Sequence, residues 1–354
     1  MKNVEKYLSL LGDEIDGLLL TSSYSRFYAA GCNISEGVAI VTQKGCRYFT
    51  DSRYIEAAQK GIAEFEVMEM NKENPYSKLL NDAIAQFGVE RLGFEEDYLT
   101  VAEYQGFAND LHVELLPLGK KIHSFRAVKE AWELDLMRQA QKITDKAFSE
   151  VLKVLKPGMT EKQLQAELIY LLYKNGGEGL SFDPIVVSGP NTSLPHGVAT
   201  DRVIQEGDFV TMDFGVLYGG YCSDMTRTVA VGYATEEMKT VYNTVLQAQR
   251  AGIAATRAGV LGRDIDNAAR QVIIDAGYGD YFGHGYGHSL GMEVHEAPNC
   301  NPKGDTAMQS GMIASAEPGI YLPGKFGVRI EDVTIVGENG CEIITKSPKN
   351  LMIV

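Results

Sequence analysis

The sequence predicts an α+β protein of two domains: an α/β domain followed by a domain of helices packed on a mainly antiparallel sheet. The chain has 354 residues, more than the roughly 100–200 residues of one ordinary domain. Its first third alternates short apolar runs with helical patterns, which is typical of an α/β layer. The remainder contains two helix–break–helix patterns at a constant offset, which indicates an internal duplication.

The first third contains the elements of the smaller domain. Strands are expected at Gly17–Leu20, 37–42, 47–50, Arg91–Phe94 and 113–116, and helices at 52–60 and Tyr76–Phe87. A basic segment at 120–126 is expected to be irregular and to mark the domain boundary. We therefore expect domains at residues 1–123 and 124–354.

The second domain opens with a helix expected at 129–156, whose apolar residues recur every three or four positions and which Pro157-Gly158 ends. Thr160 and Gln163 form a capping-box pattern that predicts a second helix, reaching Lys174. Helices are expected again at 241–257 and 264–276. The breaks at Gly158 and Gly259 lie 101 residues apart. Duplication explains this offset, although two unrelated helix pairs would also fit.

Composition and charge narrow the functional classes. Five cysteines without a CxxC pattern predict free thiols in a reducing compartment. The net charge of −14 argues against nucleic acid or an anionic membrane as the main partner. The sequence shows neither a signal peptide nor an apolar stretch of membrane-spanning length, so we expect a cytoplasmic protein.

A hairpin predicted at residues 208–231 carries two aspartates on its opposite arms. If Tyr218-Gly219 form the turn, Asp213 and Asp224 face each other; if Gly219-Gly220 form it, they are diagonal neighbours. In either register both side chains point to the same face, where their charges repel. The apolar residues around Asp213 favour a buried sheet over a solvated face, and a divalent cation would relieve the repulsion.

Three of the six histidines, His284, His288 and His295, lie within twelve residues among glycines. Such clustering favours a functional site over isolated core histidines. The sequence after His295 begins like the zinc motif HExxH, but Asn299 stands at the second histidine position and Pro298 would break the helix.

Two glutamates occupy similarly suggestive positions. Glu317 lies where a strand enters a turn, and strand alternation places Arg329 and Glu331 on one face, where an Arg–Glu pair is the simpler explanation. Together with the two aspartates and one histidine, the glutamates form a hard, oxygen-rich set that could neutralise two divalent cations. Such a set suits manganese, cobalt or zinc.

Considered together, these residues closely resemble the metallopeptidases that cut Xaa-Pro bonds, aminopeptidase P and Xaa-Pro dipeptidase (prolidase), within the methionine-aminopeptidase-like pita-bread superfamily. In the second domain the resemblance rests on LPHGVAT (194–200), MDFGVLYGGYCSDMTRT (212–228), HGYGHSLGMEVHE (284–296), AEPGIYLPG (316–324) and GVRIED (327–332). In the first it rests on FYAAGCN (27–33) and YFTDSRY (48–54). The resemblance implies a creatinase-type α/β domain before a pita-bread domain with a curved antiparallel sheet.

The resemblance also implies the roles of the site residues. Five of them would bind two divalent metal ions, with manganese favoured over cobalt or zinc: Asp213, Asp224, His288, Glu317 and Glu331. Glu331 would bridge the ions. Glu317 would accept the proton of the attacking water, and the resulting hydroxide would bridge the metals. His196 and His295 would contact the substrate and stabilise the tetrahedral intermediate, and His284 and Arg329 match further residues of the family's site. Because strand alternation separates His288 from His295, we expect the strand to end or bend near Gly291.

The implied function is hydrolysis of the N-terminal Xaa-Pro bond of dipeptides or short peptides. A homodimer is expected by resemblance. Three alternatives stay open: a methionine-aminopeptidase-like enzyme of other N-terminal specificity, a metal-independent hydrolase of guanidino compounds similar to creatinase, and a non-catalytic binding protein on the same scaffold.

Overall fold

In the computed structural model, which describes residues 3–354, the chain divides after Phe125 into two units. The apolar runs of the first unit form one mixed six-stranded sheet, ordered β4-β3-β2-β1-β5-β6. Its strands are β1 Gly17–Leu20, β2 Val38–Thr42, β3 Gly45–Asp51, β4 Glu66–Met70, β5 Arg91–Phe94 and β6 Glu114–Pro117. The helices are α1 Val4–Leu8, α2 Ser23–Ala30, α3 Ile55–Gly61, α4 Tyr76–Phe87, α5 Val101–Asp110 and α6 Gly119–Ser124.

The predicted strands and helices of this unit are present, with shifts of a few residues at several ends. The expectation of an irregular segment at 120–126 is wrong, because α6 covers most of it. One turn of helix there buries Ile122 completely, and its amide donates to the Leu118 carbonyl. The apolar pattern of the sequence also did not predict α1, α2, α5 and β4, because their apolar residues recur with only weak periodicity.

Glu95 is a fully buried carboxylate just after β5. It accepts hydrogen bonds from the Ser22 amide at 3.0 Å and the Ser25 hydroxyl at 2.5 Å, and contacts His123 Nε2 at 3.1 Å. Burial opposes ionisation, but these bonds outweigh it and lower the pKa of Glu95 to about 2. The carboxylate therefore ties the start of α2 to the end of β5 through its negative charge.

The second unit contains two helix pairs: α7 Ala131–Val151 with α8 Glu161–Lys174, and α9 Glu236–Ala255 with α10 Gly262–Asp275. The Thr160 capping box is confirmed: its hydroxyl accepts from the Gln163 amide, and the Gln163 side chain accepts from the Thr160 amide. Helix α7 is shorter than the expected 129–156, because it begins at Ala131 and turns replace the helix after Val151, ahead of Pro157. Both ends of α8 and α10 differ by the 101 residues found in the sequence.

The strands of the second unit form small antiparallel sheets. They are β7 Gly179–Leu180, β8 Ile185–Ser188, β9 Phe209–Phe214, β10 Val216–Tyr218, β11 Tyr221–Cys222, β12 Met225–Ala230, β13 Gly287–Ser289, β14 Glu296–Cys300, β15 Ile313–Ala316, β16 Gly319–Leu322, β17 Phe326–Arg329, β18 Asp332–Val336 and β19 Cys341–Ile343. The α7–α8 pair packs on the β8-β9-β12 sheet and the α9–α10 pair on a second cluster that includes β15 and β16, so each helix pair has its own apolar core. No helix among residues 3–354 has both the length and the apolar composition that a membrane crossing requires.

Candidate metal centre

One cavity of the second unit, with a volume of about 490 Å³, is lined by every residue that the sequence predicts for the site. These residues come from distant segments of the chain and from both halves of the unit. They are His196, Asp213, Asp224, His284, His288, His295, Glu317, Arg329 and Glu331. The fold brings them together, whereas their individual roles stay predictions.

Asp213 and Asp224 lie on the two arms of a long hairpin, β9–β10 and β11–β12. Gly219 and Gly220 form its turn, with φ values of 56° and 80° that favour glycine. In the resulting register Thr226 faces Asp213, and Asp224 lies one step before β12. The two aspartates are therefore diagonal neighbours, the second of the two arrangements compatible with the sequence.

The two faces of this hairpin differ in polarity. Val210, Met212 and Phe214 are fully buried against the α7–α8 core, so the expectation of a buried sheet is confirmed. At Gly215, where the arms approach closely, a Cβ would lie 1.9 Å from the Ser223 carbonyl oxygen. Only glycine permits this approach of the two arms.

His288 and His295 are brought together by a change of chain direction. Strand β13 ends at Ser289, with a register shift between His288 and Ser289. The chain then loops back, and the two imidazole rings meet edge to face with their centroids 4.4 Å apart. The expected end of the strand near Gly291 is confirmed.

Glu296 supports the loop that carries His295. It is buried, its carboxylate accepts from the Met292 amide at 3.1 Å, and it pairs with Lys129 Nζ at 2.9 Å. Residue 296 begins strand β14, so the HExxH-like sequence forms no helix, as the sequence predicted. The supporting role of Glu296 was missed, because nothing in the sequence links it to Lys129.

The two glutamates lie in connections between strands. Glu317 lies between β15 and β16, as expected, and Glu331 lies between β17 and β18. The expectation of one continuous strand carrying Arg329 and Glu331 is wrong. The Glu331 amide donates to the Thr226 carbonyl of β12 at 3.0 Å, so the chain leaves its hairpin at this point. Both side chains nevertheless line the cavity.

His288 lies among the carboxylates. Ligand atoms of Asp224, His288 and Glu331 are all within 4.8 Å of one another. The Nε2 atom of His288 lies 3.2 Å from Glu317 Oε1 and 3.8 Å from Asp224 Oδ2. Its Nδ1 atom donates to the Ser289 carbonyl at 3.1 Å, which fixes the ring with Nε2 towards the carboxylates.

Three buried carboxylate oxygens of the site accept no hydrogen bond from any described residue: Asp213 Oδ1, Asp224 Oδ1 and Glu331 Oε1. Buried carboxylate oxygens are normally hydrogen-bonded or bound to a cation, since desolvating a charge without compensation is costly. Three such oxygens around one cavity therefore fit metal ligands.

The pKa values of the site separate into two groups. Burial and the neighbouring carboxylates raise the pKa of Asp224 and Glu331 well above the ordinary range. Burial opposes ionisation of Glu317 and His288 too, but their mutual hydrogen bond and attraction prevail, lowering the pKa of Glu317 to about 2 and raising that of His288 to about 9. Four carboxyl groups thus face two cationic side chains, Arg329 and His288, so ionisation of all four would leave an excess of negative charge in the cavity.

Arg329 connects Asp213 to His284. Its Nη2 donates to Asp213 Oδ2 at 2.6 Å, so its partner is this aspartate rather than Glu331, and its Nη1 donates to the Tyr321 hydroxyl at 2.9 Å. That hydroxyl lies 2.8 Å from His284 Nε2, while His284 Nδ1 donates to the Gly285 carbonyl at 2.8 Å. Tyr321 therefore donates to Nε2 and fixes the tautomer. Tyr321 was missed, and its presence within AEPGIYLPG was the available signal.

Thr226 was missed as well. Its hydroxyl donates to Glu331 Oε2 at 2.8 Å and accepts from Arg329 Nε at 3.1 Å, so it orients two residues of the site. The signal was its register in the hairpin, where it lies directly opposite Asp213.

Known proteins support a single family. The model of the metallopeptidase family M24 matches residues 135–338, and that of the creatinase/prolidase N-terminal domain matches residues 3–128. The chain is 41% identical to the uncharacterized peptidase YqhT of Bacillus subtilis over 99% of each chain. It is 41% identical to the solved Xaa-Pro dipeptidase from Bacillus anthracis, with a TM-score of 0.96 over 99% of both chains. It is 34% identical to the X-Pro aminopeptidase from Thermotoga maritima, with a TM-score of 0.94 over the full length of both.

These matches confirm the resemblance read from the sequence motifs, together with the expected creatinase-type domain followed by a pita-bread domain. They cover the whole chain rather than one motif, and they coincide with a cavity whose carboxylates and histidine fit a metal site. The chain belongs to the metallopeptidase family M24 and is a metallopeptidase.

Proposed function

We propose that this metallopeptidase hydrolyses the N-terminal Xaa-Pro bond of dipeptides or short peptides, using two divalent cations. The observation that carries the proposal is the convergence of Asp213, Asp224, His288, Glu317 and Glu331 on one cavity, with three buried oxygens that lack a donor. The named relatives support the Xaa-Pro specificity, since one is a dipeptidase and another an aminopeptidase for such bonds.

The chemistry of the five residues fits two cations. Four carboxylates balance two divalent charges, and oxygen ligands with one imidazole suit manganese, with cobalt or zinc as alternatives. When bound, the ions would polarise the scissile carbonyl and lower the pKa of a shared water, so that hydroxide forms near neutral pH.

Glu317 is the residue to which the family resemblance gives the role of proton acceptor. Despite its burial, its carboxylate is ionised near neutral pH, because the His288 imidazolium lowers its pKa to about 2, and the Ser315 hydroxyl donates to its Oε1 at 3.2 Å. A metal at His288 would displace the imidazolium proton and leave Glu317 more basic. Arg329 holds Asp213 in place and is itself held by the Tyr321 hydroxyl and the Pro195 carbonyl. Glu317 and Arg329 thus have separate hydrogen-bonding partners.

His196 and His295 would act on the substrate. Both line the cavity, and burial lowers the pKa of His295, which favours its neutral form. A neutral imidazole can still donate one N–H bond to the oxygen on which negative charge develops. Phe182, Ile185 and Val294 add apolar surface suited to the non-polar parts of a peptide.

Proline fits such a site for a physical reason. A Xaa-Pro bond is a tertiary amide without an N–H, so a peptidase cannot hold it through that hydrogen. Activation of the carbonyl from the metal side does not depend on the missing N–H. Binding of the ring then depends on the shape of the pocket.

The test uses protein stripped with chelator and reloaded with Mn²⁺ or Co²⁺. We expect metal-dependent release of the first residue from a Xaa-Pro dipeptide, a Xaa-Pro-Xaa tripeptide or both, and loss of turnover in Asp224→Ala. Turnover of only a Met-Ala peptide would favour the methionine-aminopeptidase-like alternative, and turnover of creatine without metal would favour the creatinase-like one. Silence on every substrate with metal bound would favour a binding protein.

Other predictions from the sequence complete the proposal. We propose manganese as the working metal, a homodimer as the assembly, and the cytoplasm as the compartment. Metal analysis of purified protein and light scattering would test the first two. The acidic net charge of −14 supports peptides rather than nucleic acid as partners.

A further inference from the structure

Glu161 is a buried carboxylate that lies outside the candidate metal centre. It is the first residue of α8 and has no exposed surface. Its Oε1 accepts from the Ser188 amide at 2.7 Å, the Ser188 hydroxyl at 2.8 Å and Asn191 Nδ2 at 3.0 Å. Its Oε2 accepts from the Thr200 amide at 2.9 Å and the Thr200 hydroxyl at 2.7 Å. One side chain thus receives five hydrogen bonds.

These five bonds bring together the two ends of the segment that carries His196, here called the His196 loop (residues 189–199). Ser188 precedes the loop and Thr200 follows it, so each carboxylate oxygen holds one end. The middle of the loop is attached to β17, since the Gly327 amide donates to Thr192 Oγ1 at 2.8 Å. Arg329, at the end of β17, also donates to a loop carbonyl, that of Pro195.

The charge of Glu161 matters for this arrangement. All five donors are neutral amide or hydroxyl groups, and a carboxylate is the one side chain of this shape that only accepts. An amide at the same position would direct its NH₂ group at donors on one end of the loop. A buried donor that faces another donor loses its hydrogen bond, and the free-energy cost is at least that of its desolvation.

We infer that Glu161 is a positioning residue: its carboxylate closes the His196 loop and thereby sets where His196 lies in the cavity. The inference rests on the proposed hydrolysis of Xaa-Pro peptides, in which His196 contacts the substrate. Misplacing a catalytic group by about 1 Å can lower the rate by about 100-fold. None of the five donors to Glu161 belongs to a predicted metal ligand.

The first experiment compares Glu161→Gln with Glu167→Gln, an exposed glutamate on the same helix. In protein loaded with Mn²⁺, we expect Glu161→Gln to lower kcat for a Xaa-Pro-Xaa peptide by about 10- to 100-fold. Bound manganese per chain should stay equal to that of the unmodified protein. Glu167→Gln should behave like the unmodified protein, and equal activity of both variants would overturn the inference.

A double-mutant cycle separates positioning from support of the fold. If Glu161 acts through His196, Glu161→Gln lowers kcat less than about twofold in a His196→Ala background. The same fold-loss in both backgrounds would mean that Glu161 acts independently of His196, and it would overturn the inference.

Hydrogen–deuterium exchange gives a readout that does not depend on activity. We expect faster exchange in residues 189–199 of Glu161→Gln, with exchange in residues 284–296 unchanged. Thr200→Val, which removes one of the five donors, should give a smaller increase in exchange in the same residues. If Glu161→Gln does not fold, this variant replaces it in the test. Unchanged exchange in the His196 loop would overturn the inference. If the unmodified protein cleaves no Xaa-Pro peptide, the proposed function fails, while exchange still decides whether Glu161 holds the loop.

Discussion

Asp224→Asn should separate the stability of the metal-free protein from its ability to bind metal. The carboxylate of Asp224 lies near that of Glu331, and its Oδ1 accepts no hydrogen bond from the described residues. The substitution keeps the shape of the side chain and removes one negative charge. We expect the metal-free variant to be more stable than the metal-free unmodified protein, and its stabilisation by Mn²⁺ to be much smaller.

The magnitude follows from the spacing of the charges. Ligand atoms of Asp224 and Glu331 lie within 4.8 Å of each other, and two unit charges at that distance repel by about 3 kcal/mol at an effective dielectric constant of about 20. The raised pKa values of both groups mean that protonation already relieves part of this repulsion. A raised pKa in the folded state contributes stability that is lost as pH rises, so the advantage of the variant should grow with pH, up to about 3 kcal/mol.

The assay is urea unfolding of chelator-stripped protein at pH 6 and pH 8, repeated with saturating Mn²⁺. Metal at about 1,000 times its Kd should stabilise the unmodified protein by about 4 kcal/mol. Asp201→Asn, which removes an exposed charge outside the cavity, is the matched control and should resemble the unmodified protein in both conditions. A stripped Asp224→Asn variant that is less stable than the stripped unmodified protein at pH 8 would refute the repulsion argument.

Three further outcomes are expected. Glu95→Gln should destabilise the protein by about 3 kcal/mol at pH 7, since its pKa is about 2 when folded against 4.5 when free. This stability is present above pH 4.5 and is lost as pH falls towards 2, so a mutational cost in urea unfolding that stays constant from pH 7 to pH 3 would contradict it. The pKa of His288, about 9, means that a metal at Nε2 displaces a proton, so Mn²⁺ affinity in a competition assay with a chelating dye should rise from pH 6 to pH 8; a flat profile would count against this. Thr226→Val removes the bond to Glu331 and should weaken Mn²⁺ binding about 10- to 100-fold without loss of helical circular dichroism, whereas unchanged affinity would show that the hydroxyl is dispensable.

Local signals predicted the parts of the fold that depend on neighbours in sequence. The capping box at Thr160 placed the start of α8, and the glycine turn limited Asp213 and Asp224 to two registers. The meeting of His288 and His295 did not follow from local pattern. Strand alternation separates them, and only the resemblance to known peptidases indicated the change of direction.

Contacts between distant side chains could not be predicted. Tyr321 lies 37 residues from His284, and Lys129 lies 167 residues from Glu296. Such pairs depend on how the helix pairs and small sheets pack, which no period of the sequence encodes. The departure of Glu331 from its strand has the same origin, since a bond to Thr226 on another strand competes with the local pairing.

The spread of the site along the chain bears on the order of folding. The bond from Arg329 to Asp213 spans 116 residues and that from Thr226 to Glu331 spans 105. Contacts between residues so far apart in sequence close large loops. They form late in folding, because the chain loses entropy on closure before the contact contributes any favourable free energy. A chain in which only the first helix pair and the sheet beneath it have folded therefore offers a cation the two aspartates. It does not yet offer the histidine or the glutamates. Metal then binds after folding and does not direct it. Mn²⁺ should therefore lower the rate of unfolding without raising the rate of refolding.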